Sequence, residues 1–296
     1  MTATAQSIEL LTEDGFRLSG RLWEGEKTTA SIGRPMVLIA GATGVPQRFY
    51  GRFAAFLAAE NISALTFDYR GIGASAPASL RGFDADFLHW ARFDLAAALS
   101  YCLERGPTAV VGHSFGGHAF GLTQRANETL GLYTFGTGAG WHGYMPWLEQ
   151  LKVRFLWGIV GPLTTQLLGY LPSRRIGLGE NLPLNVYRDW KRWCSYPNYY
   201  FGDSTFRYAD NVRKVQTPIV AVSAADDLWA PPVSRDAFFD GYENARRKML
   251  TVESTSARPI GHLGYFRSSG AHLWPDVSAW VKGVGAGASS SAGSTT

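Results

Sequence analysis

The chain has 296 residues, of which 46% are apolar and 18% charged, a balance typical of a globular protein. Its formal charge of +4 is small for this length, and no run of five or six like charges occurs. A nucleic-acid binder concentrates its basic residues on one face, so this composition argues against nucleic-acid binding. The two cysteines, Cys102 and Cys194, form neither a CxxC pair nor a disulfide framework. Because the N-terminus also lacks an apolar signal segment, we expect a cytoplasmic protein.

Apolar runs alternate with helix-like segments along most of the chain. Two β-like runs flank Asp14-Gly15 within residues 8–23, which predicts a hairpin. The runs that follow predict strands over 35–40, 62–67, 108–112, 130–135, 218–223 and 248–253, and helices over 47–60, 83–105, 115–127, 233–242 and 271–281. Strands that are apolar on both faces and separated by helices indicate an α/β fold with a mostly parallel sheet.

Residues 141–211 interrupt this alternation after the sixth predicted strand. They are rich in aromatic residues and contain five of the ten tryptophans. An insert at the carboxyl ends of parallel strands lies over the ligand crevice of such a sheet. We therefore expect a core formed by residues 1–140 and 212–282 and a helical cap formed by 141–211. The Gly/Ala/Ser/Thr-rich tail, 283–296, is predicted to be disordered.

One segment of the cap has no charge from Phe155 to Ser173, which approaches the length that spans a bilayer. However, Gly161-Pro162 interrupts the segment, and polar residues 164–166 lie at its centre. A buried or pocket-covering helical hairpin fits this pattern better than a membrane span. We expect no stable membrane insertion.

The sequence Gly-His-Ser-Phe-Gly-Gly at 112–117 matches G-x-S-x-G between an apolar strand and a helix-like run. In that context the serine occupies a strained turn that exposes its hydroxyl. Glycines at 112 and 116 leave room for the turn because they have no Cβ. Ser114 is therefore predicted to be a nucleophile.

A serine hydroxyl needs a base to take its proton, and the base needs an acid to orient it. His262 lies in a glycine-flanked loop after the last strand-like run, and it is the predicted base. Asp226 and Asp227 both follow a strand and precede His262, which is the chain order expected for this arrangement. The predicted substrate contacts are Trp141 and His142, at the start of the cap, and Trp229, which follows the two aspartates.

From Ile8 to Lys282, apart from the cap, the chain resembles the α/β-hydrolase family. The loop Ala40-Gly41-Ala42-Thr43-Gly44 stands where that family has a His-Gly oxyanion loop, with alanine in place of histidine, and residues 68–75 are similar to its D-x-R-G-x-G-x-S turn. Aligning the family's acid loop, G-x-x-D, places the acid on Asp227 and Ala224 where glycine is usual. The resemblance implies an oxyanion hole formed by the backbone N–H groups of Ala42 and Phe115.

Together these features predict a serine hydrolase that cleaves a carboxylic ester of an apolar or amphipathic small molecule. Thioester, amide and carbon–carbon cleavage stay open, and so do two other functions: an acyltransferase with the same triad, and a non-catalytic receptor for a small ligand on the same fold. No H-E-x-x-H motif, complete G-x-G-x-x-G loop or Walker A sequence occurs, so we expect no metal and no cofactor. A homodimer is compatible with the sequence.

Overall fold

The computed structural model of the protein describes residues 5–25, 35–255, 257 and 259–292. Eight strands form one sheet in the order β1-β2-β4-β3-β5-β6-β9-β10, and β7 and β8 form a separate antiparallel pair. The strands are β1 Ala5–Leu11, β2 Arg17–Trp23, β3 Met36–Ala40, β4 Ser63–Phe67, β5 Thr108–His113, β6 Gly131–Phe135, β7 Tyr170–Leu171, β8 Leu182–Pro183, β9 Ile219–Ala224 and β10 Arg247–Val252. Only the β1–β2 and β2–β4 pairings of the large sheet are antiparallel, so a mostly parallel sheet is confirmed.

Helices lie on both faces of the sheet. They are α1 Gly51–Ala59, α2 Phe87–His89, α3 Leu95–Leu103, α4 Phe115–Phe120, α5 Trp147–Phe155, α6 Gly161–Leu168, α7 Leu184–Trp193, α8 Ala209–Arg213, α9 Pro232–Phe239 and α10 Trp274–Ala292. Two π-helical segments, Trp90–Asp94 and Leu156–Val160, join α2 to α3 and α5 to α6. Within the described part of the chain, no helix is both long and apolar enough to cross a membrane.

The central strands β3, β5, β6 and β9 consist almost entirely of buried residues, because helices cover both of their faces. One apolar cluster joins the sheet to α1 and α10 through side chains such as Phe53 and Val277. The other joins the opposite face to α3, α4 and the segment between β6 and β9, with Trp90 and Trp193 among its largest members. The carboxyl ends of β5, β6 and β9 are thereby held at one edge, where their loops can meet.

The segment between β6 and β9 holds α5 to α8 and also the short β7–β8 pair, which the sequence pattern does not predict. Two helix ends differ most from those predicted. The helix expected over 115–127 ends at Phe120, because Gly121, a poor helix former, is followed by turns. The last helix, expected over 271–281, continues as α10 to Ala292, into the tail predicted to be disordered, with Gly285 packed against Pro35. Residues 293–296 lie outside the described residues.

Candidate active site

Ser114 lies in the sharp turn between β5 and α4, with φ 50° and ψ −109°. A non-glycine residue with positive φ is uncommon and strained. The turn depends on glycines, because a Cβ on Gly116 would lie 2.0 Å from the Ala40 carbonyl oxygen. A Cβ on Gly117 would likewise lie 2.2 Å from Thr137 Oγ1. The glycines therefore let the turn pack directly against β3 and the loop after β6.

Three predicted site residues come together at this turn. Ser114 Oγ lies 3.0 Å from His262 Nε2. His262 Nδ1 lies 3.0 Å from each carboxylate oxygen of Asp227. The Asp227 side chain is in turn held by the backbone N–H groups of Trp229 and Ala230, which both donate to Oδ1 at 3.0 Å. These two hydrogen bonds hold the carboxylate in the position from which it contacts the imidazole.

The surroundings of Asp227 keep its carboxyl group ionised although it is buried. Burial alone would raise its pKa, but the neighbouring His262 ring, the Ala230 N–H and the Tyr265 hydroxyl, 2.9 Å from Oδ2, outweigh that effect. The pKa of Asp227 is therefore lowered. An ionised carboxylate at this position stabilises an imidazolium that forms on His262.

Asp226, the other candidate acid, points to a different partner. Its two carboxylate oxygens accept hydrogen bonds from the backbone N–H groups of Ile260, at 3.0 Å, and Gly261, at 2.9 Å. Gly261 has φ +52°, which favours glycine at this bend. Asp226 thus ties down the loop that carries His262, whereas Asp227 contacts the imidazole itself.

A second hydrogen-bonded chain runs behind the triad through His113 and Tyr50. His113 Nε2 lies 2.8 Å from the carbonyl oxygen of His262, and a carbonyl can only accept, so this nitrogen carries the proton. His113 Nδ1 then accepts from the Tyr50 hydroxyl at 2.9 Å. Burial lowers the pKa of His113 to about 3, which keeps the ring neutral and this tautomer in place. This hydrogen-bonded chain links the loop that carries His262, here called the base loop, to the loop after β3.

The hydrogen-bonded chain ends at Ala42, whose backbone N–H donates to the Tyr50 hydroxyl at 2.8 Å. In this arrangement the Ala42 N–H, a predicted oxyanion donor, is bonded to a buried hydroxyl. Thr43, the next residue, lines the cavity beside Ser114. Phe115 is the first residue of α4, and its N–H directly follows the nucleophile.

The cavity in front of Ser114 has a volume of about 270 Å³. Trp229 lines it; its ring centroid lies 6.4 Å from that of His262, and its ring stacks on Trp190 at 5.6 Å. The other lining residues come from the loops after β3, β6 and β9, the His262 loop, α4 and the β6–β9 segment: Ala42, Thr43, Val45, His118, Gly136, Gly138, Gly140, Gly177, Leu178, Gly179, Cys194, Ala230 and Leu263. This wall is mostly apolar.

Two predicted contacts are not among these lining residues. The turn at Gly140 directs Trp141 against the Tyr144 ring, at 5.0 Å, and His142 lies beside Trp141. His118, on α4, is not among the predicted site residues. The structure places it in the cavity wall, where its Nε2 lies 2.7 Å from the Gly138 carbonyl oxygen.

A serine in a strained turn, a histidine and a buried aspartate at the carboxyl edge of a parallel sheet are typical of serine hydrolases of this architecture. The chain belongs to the alpha/beta hydrolase family, whose model matches residues 36–278. No curated protein matches the sequence. Across the described residues, no group of three or more His, Cys, Asp or Glu side chains is placed to hold a metal ion.

Several solved structures share the fold at low sequence identity. A soluble variant of the Saccharomyces cerevisiae monoglyceride lipase, in complex with a substrate analog, has 16% identity and a TM-score of 0.70, over 96% of each chain. The Pyrococcus furiosus esterase Pf2001 has 14% identity and a TM-score of 0.59, over 95% of this chain and 91% of that one. The esterase domain of a Rhodothermus marinus protein has 18% identity and a TM-score of 0.57, over 94% and 98%. At these identities the likeness shows the fold.

Proposed function

We propose that this protein is a serine hydrolase that cleaves a carboxylic ester of an apolar or amphipathic small molecule through an acyl-enzyme. The observation that carries the proposal is the unbroken contact from Ser114 Oγ through His262 to the ionised Asp227, at the wall of an apolar cavity. The lipase and esterases among the structures of the same fold agree with this reaction class. The cytoplasmic location expected from the cysteines stays a prediction.

In the first half of the reaction, His262 Nε2 takes the Ser114 proton while Oγ attacks the ester carbonyl carbon. The carbonyl oxygen becomes an oxyanion, and the imidazolium is stabilised by Asp227. As the tetrahedral intermediate collapses, the bond to the alcohol oxygen breaks and His262 returns the proton to the leaving alcohol. In the second half, water attacks the acyl-enzyme in the same way and releases the acid.

The oxyanion would be held by backbone donors at the start of α4 and in the loop after β3. Phe115 supplies the first N–H. From the loop, Ala42 can contribute only if its N–H leaves the Tyr50 hydroxyl, whereas Thr43 lies one residue further along the cavity wall. Each such donor is worth about 3 to 4 kcal/mol of transition-state stabilisation.

The volume of the cavity favours a small acyl or alcohol group, because drug-sized ligand sites start at about 300 Å³. Its apolar wall, with Trp190 and Trp229, favours a hydrocarbon part over a charged one. We therefore expect short- and medium-chain esters to be turned over in preference to charged ones.

The test is labelling by a fluorophosphonate probe together with turnover of short- and medium-chain p-nitrophenyl esters. Wild type should label and turn over, and Ser114→Ala should do neither while retaining its thermal transition. Ser204→Ala, on the segment after α7, is a matched control that should behave as wild type. If the folded wild type neither labels nor hydrolyses any of these esters, the proposal fails. Product analysis with an added alcohol then separates hydrolysis from acyl transfer.

A further inference from the structure

A row of large apolar side chains faces solvent along the continuous helical segment 147–168, which consists of α5, the π segment and α6. We name this row the apolar stripe. It consists of residues four positions apart: Trp147, Leu151, Phe155, Ile159, Leu163 and Leu167. Each is between 49% and 72% exposed. Single exposed apolar residues are ordinary, but a contiguous row is typical of an interaction surface.

The π segment keeps this row on one face. In a regular α-helix a four-residue step exceeds one turn by about 40°, so six residues at this spacing would wind over about 200°. The π turn at Leu156–Val160 contains one extra residue, which reduces the accumulated rotation around the helix axis by about 100°. The stripe therefore occupies an arc of about 100°. The segment is about 33 Å long at 1.5 Å per residue. The result is a long apolar face.

The opposite face of this segment is anchored to the protein. Val153 and Trp157 are buried, and the Trp157 ring packs 5.0 Å from Trp190. A Cβ on Gly161 would lie 2.3 Å from the Tyr187 hydroxyl, so α6 approaches α7 closely. The stripe therefore faces outward because the inner face is already packed.

The part of the chain that carries the stripe and α7 is rich in basic residues. Residues 147–192 contain seven basic and three acidic residues, whereas the rest of the chain contains 21 of each, so this part carries all of the net charge of +4. Arg154, on α5, and Arg175, in the turn after β7, are exposed. A groove of about 700 Å³ between α6 and α7 is lined in part by Arg188, Lys191 and Arg192.

We propose that the apolar stripe docks onto the surface of an anionic lipid bilayer. An outward face of Trp, Phe, Leu and Ile flanked by Arg and Lys is the composition of helices that lie in the membrane interface. The basic flanks would attract anionic headgroups, and the stripe would enter the boundary of the acyl chains. Two copies of this chain facing each other through the stripe would instead bring like charges together.

The docked segment packs against a residue of the cavity wall. Trp157 on its inner face contacts Trp190, and Trp190 both lines the cavity and stacks on Trp229. A bilayer held at the stripe would thus be close to the site that would receive an apolar ester. Only this delivery of substrate rests on the proposed function; the docking does not.

The experiment is co-sedimentation of the full chain with phosphatidylcholine vesicles, with and without phosphatidylglycerol. Wild type should bind the anionic vesicles more tightly, and added salt should weaken that binding. Leu163→Glu should lower the partition coefficient at least about tenfold, because it puts a charge in place of an apolar side chain that would leave water on docking. The control is Leu11→Glu, on β1, where the side chain is similarly exposed but lies outside the stripe; it should bind as wild type.

A second variant tests the charge. Arg154→Gln should lower binding to phosphatidylglycerol vesicles about fivefold and leave binding to pure phosphatidylcholine unchanged. The proposal is overturned if wild type does not sediment with anionic vesicles, or if Leu11→Glu and Leu163→Glu lose binding equally. It is also overturned if light scattering shows a dimer that Leu163→Glu converts to a monomer, with no vesicle binding. None of these readouts depends on ester turnover.

Discussion

The hydrogen-bonded chain behind the triad can be tested by removing a single oxygen atom. The Tyr50 hydroxyl accepts from the Ala42 N–H and donates to His113 Nδ1. Tyr50→Phe leaves both groups without that partner. Ala42 is one of the residues that line the cavity, where water can replace the hydroxyl, but His113 is fully buried. One unsatisfied buried acceptor costs about 1 to 3 kcal/mol, so we expect a loss of about 2 kcal/mol in the free energy of unfolding.

For a chain of this length, 2 kcal/mol corresponds to a fall in Tm of about 3 °C. Tyr69→Phe is the matched control, since the Tyr69 hydroxyl is buried without a hydrogen-bond partner among the described residues, and its removal should not lower Tm. Calorimetry of both variants measures the difference. Equal Tm values for the two variants would refute the stabilising role of the hydrogen-bonded chain through Tyr50 and His113.

The same variant reports on the oxyanion hole. Tyr50→Phe should lower ester turnover by less than about tenfold, because His113 still donates to the carbonyl of His262 and holds the base loop. An increase in kcat instead would mean that the released Ala42 N–H serves the oxyanion better than the donor used in wild type.

Three further predictions concern the triad, the turn and the pH dependence of stability. Asp227→Asn should lower kcat about ten-thousandfold, as loss of the orienting acid does in such triads. Asp226→Asn alters only a loop anchor, so its kcat should fall far less. Steady-state kinetics of the two variants measures the difference. Gly116→Ala, whose Cβ would lie 2.0 Å from the backbone of β3, should lower kcat at least about 100-fold, whereas Gly283→Ala, with open space around it, should not. Burial raises the pKa of Asp189 to about 6; its contribution to stability is therefore present below pH about 4 and lost as pH rises through about 6. In urea unfolding, the free energy of unfolding of Asp189→Asn relative to wild type should rise by up to about 3 kcal/mol between those pH values. A difference that does not change with pH would contradict this.

Much of the fold and the meeting of the triad residues follow from local patterns. The apolar strands and the G-x-S-x-G turn are each encoded within about ten residues, and parallel strands bring their carboxyl ends to one edge. Ser114, His262 and the two aspartates could therefore be placed near one another. Choosing between Asp226 and Asp227 required backbone geometry, because adjacent side chains point to different partners: one to the N–H groups of the base loop, the other to the imidazole.

The cavity wall and the second hydrogen-bonded chain could not be predicted in this way. Tyr50 and His113 are 63 residues apart, and no periodicity couples a tyrosine at the start of α1 to the histidine before the nucleophile. His118 follows the nucleophile on α4, where a helical pattern alone does not distinguish a packed histidine from one that lines a cavity. Trp190 and Trp229 meet only because α7 folds back over the acid loop.

The uncharged segment from Phe155 onward was predicted to be buried or to cover the pocket because Gly161-Pro162 and polar residues 164–166 interrupt it. In a regular helix the six residues of the stripe would wind over about 200°, so their spacing alone does not place them on one face. The extra residue in the π turn changes that phase, and it depends on hydrogen-bond geometry that the residue pattern does not encode. Once the phase is shifted, the buried Trp157 and the exposed stripe separate onto opposite faces. A segment that is apolar enough to suggest a membrane span then becomes a helix with a surface suited to lie along one.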